Sequence, residues 1–107
     1  MNKLTIIGKL TANPRGKMLC RSGPPCQVCD FTVTAKNTPG TTEFFRVSCM
    51  GGQAERCMKH LRRGSLVAVT GAISARAYLA GDGKPRASLE IKPDEIEILD
   101  TAEEDQS

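Results

Sequence analysis

The segment from Thr42 to Met50 carries the residues best suited to chemistry in this chain. It reads as a strand rich in aromatic and β-branched residues. A period of two places Phe44, Arg46, Ser48 and Met50 on one face and Phe45, Val47 and Cys49 on the other. The second set is wholly apolar and is expected to face a core. The first combines a ring, a guanidinium and a thioether, which is unusual for a solvent face. Such a set suits an unpaired strand of nucleic acid: the ring stacks on a base, worth about 1–3 kcal/mol, while the cation meets a phosphate. The competing explanation is that Phe44 covers a neighbouring loop or a second subunit. Further along, Arg76 and Tyr78 share a face, with Lys84 and Arg86 just across a turn. A tyrosine among three cations repeats the pattern, again with a subunit interface as the alternative.

Other chemistries find less support. The five cysteines are Cys20, Cys26, Cys29, Cys49 and Cys57. Their odd number favours free thiols in a reducing compartment. Cys26-x-x-Cys29 invites a metal reading, with Cys20 and His60 as possible extra ligands. A structural zinc site usually shows two ligand pairs, however, and residues three apart on a strand point to opposite faces. The expectation is therefore metal-free thiols and no cofactor. A single histidine, the lack of a phosphate-binding glycine loop and scattered carboxylates give no positive sign of catalysis.

The elements that must position these residues follow from periodicity. A first strand is predicted at Lys3–Leu10, with Leu4, Ile6, Gly8 and Leu10 on one face. Asn13-Pro14-Arg15-Gly16 breaks that pattern, and an irregular stretch containing Ser22-Gly23-Pro24-Pro25 follows. A second strand is predicted from Gln27 to Ala35, a turn over Lys36–Gly40, and a third strand over Thr42–Met50. Ala54, Cys57, Met58 and Leu61 then form the stripe of an amphipathic helix, with Gly64 as its stop. A long strand from Ser65 to Leu79 contains Gly71, a candidate bend, and Ala80–Lys84 has hairpin chemistry. A last strand covers Ala87–Leu99, with a bulge or edge position at Pro93. Five strands with one helix between the third and fourth are the layout of an OB-fold, a small Greek-key barrel in the all-β class. An unrelated five-stranded sheet with a packed helix would leave a similar trace.

A length of 107 residues fits one domain and only a modest core. The formal charge of +3 is unevenly spread: Asp100, Glu103, Glu104 and Asp105 form a short acidic tail over residues 100–107. Residues 1–99 then hold 15 basic against 8 acidic side chains, a body that attracts polyanions. No apolar run approaches membrane-spanning length, and Leu4–Ile7 is too brief for a secretion signal, so a cytoplasmic protein is expected.

Several stretches together resemble bacterial single-stranded DNA-binding proteins. They are residues 1–10 followed by Asn13-Pro14, then Cys29–Val33, Thr42–Val47, Leu61–Ser65, Ser74–Tyr78 and Asp94–Leu99, in family order. The resemblance implies an OB-fold over residues 1–99 that holds single-stranded DNA without strong sequence preference, in replication, recombination or repair. It places Phe44 and Tyr78 where the family commonly stacks tryptophans and Met50 where it commonly has phenylalanine. Arg46, Arg62, Arg63, Arg76 and Arg86 match basic positions, and Lys84 joins them from the hairpin. It also implies a homo-oligomer, a tetramer first and a dimer second. This sequence departs from the family in having no tryptophan and no terminal Pro-Phe hook for recruiting replication and repair partners. That absence suits a phage, plasmid or accessory version. A second resemblance, to the tail-less dimeric primosomal replication protein N, implies an adaptor role in replication restart instead. A structural barrel that binds only protein is the third possibility.

Overall fold

The alternating segments of the sequence become strands and its one stripe of period 3.6 becomes a helix. The computed structural model describes residues 3–19, 23–38, 41–79, 81–83 and 85–101, with side chains described in these ranges except at 36–38, 41, 42, 78 and 85–87. The elements are β1 (Lys3–Leu10), β2 (Arg15–Leu19), β3 (Cys26–Thr38), β4 (Thr41–Met50), α1 (Gly52–His60), β5 (Leu66–Leu79) and β6 (Pro85–Asp100). They form one sheet in the order β1-β5-β6-β4-β3-β2, and β1 also pairs with β3. That extra pairing, Lys9 with Thr34 and Leu10 with Val33, closes β1, β5, β6, β4 and β3 into a five-stranded ring. β2 is added outside the ring, on the edge of β3. The pairing of β4 with β6 is parallel and the others are antiparallel.

The apolar positions of each strand point into the ring. Val33, Val47, Val67, Val69, Ile91 and Ile96 are essentially inaccessible, and Ile6, Phe31 and Phe45 lie beside them. Helix α1 adds Ala54 and Cys57, both fully buried, and packs against β3, β4 and β2. Met58, on the same stripe, is partly exposed and lies over Gly16 of β2. Two glycines permit closure. A Cβ on Gly8 would collide with the Thr34 carbonyl, where β1 meets β3. One on Gly71 would collide with the Lys92 carbonyl, beside the bulge that leaves Asp94 out of the β5–β6 ladder. The bulge expected at Pro93 and the bend expected at Gly71 are thus one feature.

The structure corrects several boundaries. β2 occupies part of the stretch read as irregular, pairing Arg15 with Asp30 through Leu19 with Cys26. Most of its residues are exposed, so it carries no apolar alternation to betray it. β3 and β4 run on to Thr38 and Thr41, through most of the expected turn, with a register shift near Lys36. Helix α1 ends at His60 rather than at Gly64. Leu61 turns to extended backbone and is buried, because its side chain is drawn into the core. The Arg62–Ser65 turn then ties back to β1: Gly64 N–H donates to the Leu10 carbonyl and Leu10 N–H to the Ser65 carbonyl, each at 3.0 Å. Asp100, assigned to the acidic tail, is the last residue of β6, opposite Leu66.

Candidate nucleic-acid interface

The mixed face of β4 lies outside the ring as its period requires. Phe45, Val47 and Cys49 are buried, while Phe44 is 58% and Met50 61% exposed, with Arg46 and Ser48 exposed between them. Large apolar side chains exposed in series with a cation are not explained by the packing of this chain.

Arg46, Ser48 and Met50 line a groove of about 900 Å³ that runs from the β1–β2 loop across β3 and β4 to β6 and β5. The groove adds residues that sequence reasoning did not select: Arg15, Lys92, Asp30 and Glu90, with Thr32 and Ser74 between them. Two rows cross the sheet. Arg15, Asp30 and Ser48 face one another across β2, β3 and β4. Thr32, Arg46, Glu90 and Ser74 do so across β3, β4, β6 and β5. In the second row Arg46 Nη1 lies 3.8 Å from Glu90 Oε2, a loose ion pair on two solvent-accessible side chains. Arg15 was hidden by the reading of its segment as a turn. Lys92 was legible in principle, since Glu90 and Lys92 alternate with buried Ile91.

The remaining expected residues surround this groove. Phe44 precedes Arg46 by one pleat on the same face of β4. Arg62 and Arg63 are exposed on the turn after α1, where Arg63 N–H donates to Asn13 Oδ1 at 2.8 Å. Asn13 itself lines the groove, so that turn stands at its end. Arg76 is exposed on β5, two residues beyond Ser74. Here β5 and β6 continue as a two-stranded arm past the β4–β6 pairing, with Arg76, Ala77 and Leu79 all exposed. Tyr78 pairs with Arg86 in the backbone of that arm, while their side chains and the whole of Lys84 lie outside the described residues.

The cysteines serve a different place. Cys29 and Cys49 are opposed across β3 and β4, and Cys57 of α1 joins them in the core. Burial, then the neighbouring Cys49, pushes the Cys29 thiol up to about 12. The hydrogen bond with Cys49, then burial, pushes Cys57 up as well. Among the described residues no cluster of His, Cys, Asp and Glu is arranged to hold a metal. Cys20 lies outside them.

A closed five-stranded barrel with one helix between its third and fourth strands is an OB-fold. A solved small single-stranded DNA-binding protein from Streptomyces coelicolor shares the fold, with a TM-score of 0.72 and 24% identity over 91% of this chain and 93% of that one. The family model described as "Single-strand binding protein family" matches residues 1–99. Single-stranded DNA-binding protein 1 of Clostridium acetobutylicum is 33% identical over 97% of this chain and 98% of its own length. The single-stranded DNA-binding protein of Thermotoga maritima is also 33% identical, over 92% and 74%. This chain belongs to the single-strand binding protein family.

Proposed function

We propose that this chain binds single-stranded DNA, protecting it in the cytoplasm during replication, recombination or repair, by binding alone and without catalysis. The observation that carries this reading is the outer face of β4. Phe44 and Met50 stand exposed on either side of Arg46, beside a groove that also holds Arg15 and Lys92. Bases stack on the first two and on Tyr78. Phosphates meet Arg46, Arg62, Arg63, Arg76, Lys84 and Arg86. The adaptor role in replication restart is not favoured, since the relatives described above are named as single-stranded DNA-binding proteins.

Anisotropy titration with fluorescent oligo-dT tests this directly. Binding should weaken with salt, with a slope of log affinity on log salt of about −0.7 per phosphate neutralised. Salt-insensitive binding, or duplex DNA bound as tightly as oligo-dT, would refute the mechanism. The thiols are proposed to be packing groups that hold no metal. Elemental analysis finding close to one zinc per chain would overturn that.

A further inference from the structure

We propose that Met50 is a reversible oxidation site in the groove: a hydroperoxide converts its thioether to the sulfoxide, and affinity for single-stranded DNA falls. This rests on the groove holding single-stranded DNA. The sulfur atoms of the chain divide by place. Cys29, Cys49 and Cys57 are buried in the core, away from solutes. Cys26 is half-buried and does not line the groove. Among the described residues the accessible thioethers are Met18 at 55%, Met50 at 61% and Met58 at 37% exposure. Of these only Met50 lines the groove, on the outer face of β4 with Arg46 and Ser48. Met18 lies on β2 and Met58 over Gly16, both outside it. Across the ladder from Met50 stands Val28, which is buried, so the thioether has an apolar strand neighbour. The most accessible of the three thioethers is thus the one that offers the groove an apolar contact.

The chemistry balances with that one co-reactant. The sulfur lone pair attacks the terminal oxygen of the hydroperoxide, so the S–O bond forms as the O–O bond breaks. Sulfur is oxidised and the peroxide reduced. The proton of the attacked oxygen passes to the departing one, which leaves as water when the oxidant is hydrogen peroxide. A thioether needs no deprotonation first, so its reaction follows exposure. The product is a polar, chiral group in place of a flexible apolar one. Its oxygen only accepts hydrogen bonds, and neither a base face nor a phosphate donates one. Covering it with a strand therefore leaves it unsatisfied. A methionine sulfoxide reductase reverses the step, with a dithiol giving up two electrons and the oxygen leaving as water.

The test treats the whole chain with hydrogen peroxide, then with dithiothreitol to reverse cysteine oxidation, and follows oligo-dT anisotropy and peptide masses together. Affinity should fall about fivefold or more, in step with the fraction of Met50 carrying an added oxygen, with the far-ultraviolet circular dichroism unchanged. Reductase and dithiol should restore it. Met50→Leu, from whatever starting affinity, should lose nothing further to peroxide. The double variant Met18→Leu, Met58→Leu should lose as much as wild type. Bound oligo-dT should slow the oxidation of Met50 but not of Met18. Full oxidation of Met50 without loss of affinity, or an equal loss in Met50→Leu, would overturn the proposal. So would a Met50 that stays unoxidised in the free protein while Met18 reacts. Failure of untreated wild type to bind oligo-dT would instead refute the single-strand reading beneath it.

Discussion

Phe44 leaves 58% of its surface in water on a face it shares with Arg46, an exposure that costs free energy. A base stacked on the ring would remove it. Phe44→Ala should weaken oligo-dT binding by about 1–3 kcal/mol with the far-ultraviolet circular dichroism unchanged, and Tyr78→Ala should do the same. Wild-type affinity in both would return them to a packing role. The electrostatic contribution separates cleanly from stacking. Arg76→Ala should make the salt slope shallower, because one fewer counterion is released. Phe44→Ala should leave that slope alone, since a ring releases none. Within the core, Cys29 sets a pH limit. In the unfolded chain its thiol ionises near 9.0, but in the fold it keeps its proton to about 12, so between those values the unfolded state holds fewer protons. Stability is therefore complete below the lower value and falls above it, by about 1.4 kcal/mol per pH unit for such a thiol. Thermal unfolding midpoints should drop as pH rises through that window, and less steeply in Cys29→Ala than in wild type.

At the scale of elements, the barrel depends on two strands approaching closely where they bend. Gly71 meets the Lys92 carbonyl and the Pro93 backbone, neither of which can swing aside as a side chain would. Gly71→Ala should therefore destabilise the fold by about 1–3 kcal/mol, read as a lowered denaturant midpoint. Gly81→Ala is the control: a Cβ there meets nothing within 4 Å, and stability should be nearly unchanged. A Gly71→Ala variant as stable as wild type would mean that the bulge at Pro93 can shift, and that closure does not depend on this contact. The arm formed by the ends of β5 and β6 poses a different problem. On it Arg76, Ala77 and Leu79 are exposed, so the barrel core contributes little to holding this part of the two strands.

Taken whole, the closed ring leaves part of β1 without a second strand among the described residues. β1 pairs with β5 along Lys3–Lys9 but with β3 only at Lys9 and Leu10, so among the described residues most of its other edge has no strand beside it. Ile7, 57% exposed, lies on the outer face of this strand. An open edge with an exposed apolar residue is normally covered. The chain is proposed to form a homo-oligomer, a tetramer first and a dimer second. Sedimentation equilibrium at micromolar concentration should show it, and a monomer there would reject it. The charge of the body favours the same assembly on DNA, since several basic grooves side by side would track a longer strand.

Barrel strands, helix and the exposed mixed face of β4 were legible in the sequence because each follows from local periodicity. Alternation along β4 alone separates Phe45, Val47 and Cys49 from Phe44, Arg46, Ser48 and Met50, since a strand must send neighbouring side chains to opposite sides. The stripe through Ala54, Cys57 and Leu61 marks the helix for the same reason. What depends on partners across space was not legible. β2 is exposed on both faces, so only its pairing with β3 makes it a strand. The helix stops at His60 because Leu61 is wanted in the core, not because of the glycine three residues further on. Arg15 and Asp30 lie on the consecutive strands β2 and β3, but Glu90 and Lys92 lie on β6, far from them in sequence. Only the pairing of β2 with β3 and the parallel pairing of β6 with β4 bring them into one groove. Periodicity reports which side of a strand a residue occupies; register between distant strands decides what it stands beside.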